Sequence, residues 1–160
     1  MDVAARPATE ADLPRIAELI TAGIAELRPT RGGELWARHE ARGDVSVDAL
    51  RALLDDDTRR AYLGCIDDTP IGVATAHVEH LRGGGRLAVI DEIYVEDGAR
   101  EVGVGEAMMD EVVRWATELG CVGIDAVALP GNRETKNFFE TFGLTARAIV
   151  VHRALAEDGS

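Results

Sequence analysis

Arg86-Leu87-Ala88-Val89-Ile90-Asp91-Glu92-Ile93-Tyr94-Val95, followed after a short gap by Arg100-Glu101-Val102-Gly103-Val104-Gly105, is the stretch on which the fold turns. The first run is nearly apolar throughout, which predicts a strand covered on both faces and therefore central in its sheet. The second run carries two glycines and opens a segment with Met108, Val112, Trp115 and Leu119 at helical spacing. That spacing predicts a helix from about Val104 to Leu119, stopped by Gly120. A buried strand, a loop from Gly98 to Gly105 and a long helix make the first part of a β-α-β unit.

The loop has a readable chemistry. The first turn of a helix leaves N–H groups unpaired and carries a partial positive charge, so an anion fits there. Gly103 and Gly105 lack Cβ atoms and let a phosphate approach the backbone. Arg100 adds a guanidinium that matches phosphate oxygens. The same glycines equally suit a plain turn into the helix. The Rossmann pattern is excluded because position 108 is Met108 rather than glycine, and no G-x-x-x-x-G-K-[ST] is present.

Working outward, Val3 to Pro7 predicts a short strand. Thr9 and Asp12 before Leu13, Ile16, Leu19 and Ile20 predict a capped amphipathic helix to about Leu27, broken by Pro29 and Gly32-Gly33. Glu34 to Asp44 reads either as a short helix carrying Trp36 or as a loop. Ser46 caps a second helix with Val47, Leu50, Leu53 and Leu54 on one side. Arg60 to Ile66 and Ile71 to Leu81 are strand-like, joined by the turn Asp67-Asp68-Thr69-Pro70, and Gly83-Gly84-Gly85 makes the next turn. After the long helix come a strand from Cys121 to Leu129, a turn at Pro130-Gly131-Asn132, a helix from Glu134 to Phe142 and a last strand from Leu144 to Val151. The expectation is one mixed α/β domain over residues 1–160, with about six strands, mainly antiparallel, and about four helices packed on them.

Composition bounds the function. The chain has 160 residues, 46% of them hydrophobic and 29% charged, enough for one core. No run approaches the ~18 apolar residues of a membrane span, and the N-terminus lacks a basic start before an apolar run. The expected setting is the cytoplasm. A formal charge of -12 repels phosphate backbones and anionic lipid, so neither nucleic acid nor a membrane is an expected partner, whereas a cationic or amine substrate suits it. Cys65 and Cys121 have no paired spacing and read as buried free thiols. His39, His77, His80 and His152 show no metal-ligand spacing, so no metal is expected. On their strand His77 and His80 face opposite ways, and a structural role is the default for both.

From Asp91 to Gly143 the chain resembles the GNAT superfamily of N-acetyltransferases. The family signature is Arg or Gln, two residues, Gly, one residue, then Gly or Ala, and Arg100, Gly103 and Gly105 match it, with Val95 at the strand end before them. Asn132, Thr135, Phe138-Phe139 and Gly143 follow the family's downstream pattern. Arg6-Pro7-Ala8-Thr9 with Asp12-Leu13 resembles its opening. Only about Pro29 to Ser46 is unmatched.

The resemblance implies transfer of the acetyl group of acetyl-CoA to a primary amine of a small molecule or a protein. It implies two splayed central strands, with the backbone of Ile93, Tyr94 and Val95 pairing with pantetheine amides. The N–H groups of Glu101, Val102, Gly103, Val104 and Gly105 would hold the pyrophosphate beside Arg100, and Asn132 would contact the pantetheine arm. Arg133 and Lys136 either neighbour the adenosine phosphate or are plain surface charge. Trp36 and Glu34 either line the acceptor side or simply pack. A symmetric homodimer is the default assembly.

An amine must lose a proton before it attacks, and Asp91 and Glu92 are the candidate bases. Regular strand alternation puts them on opposite faces, Asp91 with Ile93 and Val95, Glu92 with Ile90 and Tyr94. A salt bridge or capping role for one of them is the competing reading. Phe139 stands where the family usually has a proton-donating Tyr, leaving water, Tyr94 or Cys121 as substitutes. Glu101 replaces a common Gly. These departures keep open a second function, a non-catalytic acyl-CoA-binding regulatory domain. A tRNA-acetylating member of the superfamily would need a basic groove, which the charge opposes.

Overall fold

The computed structural model describes residues 1–155. Five strands, β1 (Val3–Pro7), β2 (Arg59–Ile66), β3 (Thr69–His80), β4 (Arg86–Val95) and β5 (Gly123–Ala126), lie side by side in chain order in one sheet. The first four pair antiparallel and β4 pairs parallel with β5. The helices are α1 (Leu13–Leu27), α2 (Gly33–His39), α3 (Val47–Leu50), α4 (Val104–Glu118) and α5 (Arg133–Thr141). The fold class is the mixed, mainly antiparallel one expected, with five strands and five helices. Among the described residues no helix is long and apolar enough to cross a membrane.

The sheet separates two cores. On one side α1 lays Leu13, Ile16, Leu19 and Ile20 onto Leu63 and Val73, with Leu50 and Leu53 closing the edge. On the other, α4 lays Met108, Met109, Val112 and Trp115 onto Ala74, Ala76, Ala88 and Ile90. Alternate residues of β2 and β3 serve the two sides, as the period of a strand requires. Each such large side chain contributes about 1.5–3 kcal/mol on burial, so both helices are anchored by hydrophobic area rather than by propensity.

Gly64 decides how closely α4 approaches. A Cβ there would lie 2.4 Å from Val104 Cγ1 and 3.0 Å from Met108 Sδ. The missing methyl lets the first turns of α4 sit directly on the sheet, which places the preceding loop at the end of β4.

Several predicted bounds shift. The turn between β2 and β3 is made by Asp67 (φ 47) and Asp68 (φ 68), while Thr69 and Pro70 already belong to β3. Two consecutive left-handed residues form the tight turn that matches strand twist, and aspartate tolerates that conformation. The ambiguous stretch after Pro29 forms α2, and Ser46 caps α3 through Oγ, which accepts from Ala49 N–H at 3.2 Å. The strand expected over Cys121 to Leu129 contracts to Gly123–Ala126.

The strand expected from Leu144 to Val151 is absent: this stretch joins no sheet, and Ile149, Val150 and Val151 are exposed. Its β-branched run has strand propensity, but propensity reflects packing against neighbours, and β5 offers only a short edge. Its tie to the sheet is an ion pair between Arg147 and Asp125 of β5.

Candidate active site

The β4–β5 pairing runs only from Leu87 opposite Gly123 to Ile90 opposite Ala126. Beyond it β5 ends and the two chains part, so the backbone of Asp91 to Val95 has no strand partner on that side. Backbone polar groups in such a position need another partner, and a ligand amide is one. A cavity of about 540 Å³ occupies the gap, walled by α1 and Trp36 on one side and by Ala126, Asn132, Phe138 and Phe139 on the other.

Most of the predicted cofactor residues surround this cavity. Ile93, Tyr94, Val95, Arg100, Glu101, Gly105, Asn132 and Phe139 line it. Val102, Gly103 and Val104 do not: the Val104 side chain is fully buried in the α4 core, which leaves only its backbone N–H for a ligand. Gly103 is the N-cap of α4 with φ 93, a conformation that glycine adopts without strain. A Cβ at Gly105 would lie 3.2 Å from Phe138 Cε1, so this glycine admits the Phe138 ring as well as leaving the helix N-terminus open.

Arg100 is already engaged. Its Nη2 donates to both oxygens of Glu26 at 2.6 and 2.7 Å, and its Nε donates to the Val95 carbonyl at 2.9 Å. The guanidinium also lies 5.6 Å from the centroid of the Tyr94 ring. Asn132 caps α5, its Oδ1 accepting from Thr135 N–H at 3.2 Å. Phe139 is buried, edge-on to Phe138 with centroids 5.8 Å apart. Lys136 pairs with Glu140 on the surface, and Glu34 pairs with Arg28 rather than lining the cavity.

The two acids of β4 sit differently from the sequence expectation. Thr75 of β3 pairs with Glu92, but the next residue, Ala76, pairs with Ile90. Asp91 is therefore an extra residue, a β-bulge, and a bulge inverts the side-chain alternation beyond it. Ile90 packs into the α4 core while Glu92 lies opposite Thr75 on the α1 side. Asp91 turns to that same side and meets His77, two residues from Thr75. The predicted opposite facing of Asp91 and Glu92, with Glu92 beside Ile90, is thus overturned: both carboxylates share one face.

There they line a second chamber of about 290 Å³ with Glu40, Arg42, Arg59 and His77. Glu40, Asp91 and Glu92 line the larger cavity as well, so the chambers adjoin at the acids. Glu92 Oε1 accepts from Arg42 Nε at 2.9 Å and from Thr75 Oγ1 at 2.9 Å. Burial pushes the Glu92 carboxyl above its ordinary range, and Arg42 and Thr75 offset only part of that. Asp91 Oδ2 lies 2.7 Å from His77 Nδ1, and Glu79 Oε2 lies 2.8 Å from His77 Nε2. Burial lowers the His77 imidazole, but its bonds to Asp91 and Glu79 outweigh that and hold it above its usual value. Tyr94 is also pushed up, by burial first and then by the Glu26 charge, so its phenol keeps its proton.

Glu26, Glu40, Arg42 and Arg59 escaped the sequence reading. Glu26 looked like a polar position of α1, and the segment holding Glu40 and Arg42 has no periodicity. Among the described residues no cluster of three or more His, Cys, Asp or Glu could hold a metal ion.

Comparisons with known proteins bear on the family and the fold. The family model described as Acetyltransferase (GNAT) family matches residues 26–144. A comparison with curated proteins finds no match. Among solved structures, AAC(6')-Iy in complex with a CoA-S-monomethyl-acetylneamine bisubstrate analogue superposes with TM-score 0.74 at 19% identity, covering 98% of this chain and 99% of that one. An aminoglycoside acetyltransferase from an uncultured soil metagenomic sample, in complex with sisomicin, gives TM-score 0.71 at 18% identity over 97% and 96%. Glucosamine-6-phosphate N-acetyltransferase from Arabidopsis thaliana gives 0.69 at 15% identity over 98% and 100%. At such identities these likenesses establish the fold.

Proposed function

Because the chain belongs to the acetyltransferase (GNAT) family, we propose that it transfers the acetyl group of acetyl-CoA to a primary amine held at Asp91 and Glu92. The observation that carries this reading is the pair of acids on one face of β4, beside a cavity whose wall is an unpaired strand backbone.

Acetyl-CoA fits the residues present. The free backbone of Ile93 to Val95 offers partners for pantetheine amides, and the first N–H groups of α4, with those of the loop from Glu101, offer donors for the pyrophosphate. When bound, it supplies an acetyl group activated as a thioester.

The chain's own groups handle the protons. Asp91 draws the ammonium form of the acceptor into the chamber. Glu92, buried and with its carboxyl held above the ordinary carboxylate range, takes the role of proton acceptor. Arg42 and Thr75 fix its rotamer through bonds at 2.9 Å. Backbone N–H groups at the parting of β4 and β5 are available to stabilise negative charge on a carbonyl oxygen. Tyr94, which lines the larger cavity and keeps its phenol proton, takes the donor role that Phe139 cannot fill.

Phe139 favours the second reading, a regulatory domain that binds acyl-CoA without transferring it. Calorimetric titration with acetyl-CoA, followed by thiol release with a panel of primary amines, separates the two. Binding of roughly micromolar affinity, lost in Gly105→Leu, together with thiol release supports the transferase. Binding without release from any amine supports the regulatory domain. No binding at millimolar acetyl-CoA by the folded wild type rejects both.

A further inference from the structure

The smaller chamber departs from the charge of the protein around it. In a chain of net charge -12, it gathers Arg42, Arg59 and His77 around the acids. Arg42 is engaged by Glu92, and His77 is held between Asp91 and Glu79. Arg59 is placed differently. Among the described residues the carboxylate within reach is Asp56, whose Oδ2 lies 4.0 Å from Arg59 Nε, beyond hydrogen-bond distance, while its Oδ1 accepts from Thr58 N–H at 2.8 Å and Thr58 Oγ1 at 2.7 Å.

Position adds to this. Arg59 stands directly opposite His77 across the β2–β3 ladder, and His77 touches Asp91. The β4 residue opposite His77 is Val89, and the bulged Asp91 reaches the imidazole from further along that strand, so Arg59, His77 and Asp91 form an oblique line across three strands. Two strand spacings separate the strands at its ends by ~10 Å. One end is a guanidinium with no carboxylate nearer than Asp56 at 4.0 Å among the described residues, and the other is the two neighbouring acids. A molecule with an amine at the acids and a negative group toward Arg59 matches this line. A polycation would set a second positive charge against the guanidinium.

Resting on the acyltransferase reading above, we propose that the acceptor is a primary amine that also carries an anionic group, a carboxylate or a phosphate, and that Arg59 receives that group. Arg presents a planar fork of donors that fits either group. Arg59 acts on specificity: it binds the part of the acceptor remote from the nitrogen.

The test follows thiol release from acetyl-CoA with matched amines: 6-aminohexanoate against hexylamine, phosphoethanolamine against ethanolamine, and spermidine as a polycation. Wild type favours the anionic member of at least one pair about tenfold or more in kcat/KM, and the favoured pair tells carboxylate from phosphate. Arg59→Gln reduces that preference below about threefold through KM, and Arg59→Lys keeps part of it. Preference for the neutral amines or spermidine overturns the proposal, as does a preference unchanged in Arg59→Gln. Failure of wild type to bind acetyl-CoA overturns the acyltransferase reading instead. In that case the His77 ring protons, followed by NMR during titration with 6-aminohexanoate and phosphoethanolamine, decide. A shift in wild type that Arg59→Gln lacks supports the site, and no shift in wild type removes it.

Discussion

The Glu26 carboxylate of α1 grips the Arg100 guanidinium with both oxygens, at 2.6 and 2.7 Å, across 74 positions of sequence. The residue proposed to stand beside the pyrophosphate is thus already paired within the protein. Both side chains are partly exposed, so the pair itself is weak and can exchange partners when a stronger anion arrives.

Glu26→Gln frees the guanidinium and removes a negative charge beside the anion site. Acetyl-CoA binding, measured by calorimetry, tightens about threefold to tenfold, a gain of the size expected for a partly exposed ion pair. Arg100→Ala weakens binding, and adding Glu26→Gln to it restores nothing. An equal effect of Glu26→Gln in both backgrounds would show that the carboxylate acts without Arg100.

As the proposed base, Glu92 is expected to set the acid limb of the pH–rate profile. Activity needs its carboxylate form, and burial raises its pKa, so kcat/KM falls with decreasing pH at a point above the ordinary carboxylate range. Glu92→Gln abolishes that limb and lowers kcat by about 10²–10³. Asp91→Asn retains the limb and acts mainly on KM. Exchange of these two phenotypes would assign the base to Asp91.

Asp12 makes the fold acid-sensitive. Its carboxylate accepts from Arg6 Nη1 and Nη2 at 2.7 and 2.9 Å and from Thr9 N–H at 2.8 Å. The bond to Arg6 is the main reason its pKa falls to about 2 from 3.8. A depressed carboxyl contributes stability above its unfolded pKa and loses it as pH drops through the folded one. Denaturant melts therefore show up to about 2 kcal/mol lost between pH 4 and pH 2, and Asp12→Asn flattens that slope.

Gly64→Ala tests the seating of α4. The new methyl meets Val104 Cγ1 at 2.4 Å and cannot be accommodated without moving the helix. Overpacking of this kind costs about 1–3 kcal/mol, read as a lower melting temperature. Acetyl-CoA affinity falls with it, because the same turn of α4 bears the N–H groups of the anion site. Unchanged affinity in a destabilised variant would separate the helix from that site.

Regular periodicity made most of this architecture readable. The apolar run of β4, the three- and four-residue spacing of α4 and the glycine loop between them were legible as a strand, a loop and a helix, whereas the parting of the strands beside them came from the family resemblance. The orientation of Asp91 and Glu92 could not be read the same way. Alternation predicts faces only while the ladder is regular, and nothing in Ile90-Asp91-Glu92-Ile93 announces a bulge. Leu144 to Val151 failed for the converse reason: its residue types favour a strand, but a strand also needs a free edge of matching length. Arg42 and Arg59 lie in stretches whose meaning comes from the side chains they meet, information that sequence spacing does not contain.

The single surplus residue at Asp91 resets the side-chain alternation of β4. Ala88 and Ile90 before it and Ile93 and Val95 after it all pack against the core under α4, while Asp91 and Glu92 stand side by side on the opposite face. A strand without this phase slip would set the two neighbouring acids on opposite faces and turn one of them into that apolar core. The extra residue gives two adjacent carboxylates a common outlook while the apolar side chains on either side of them keep theirs.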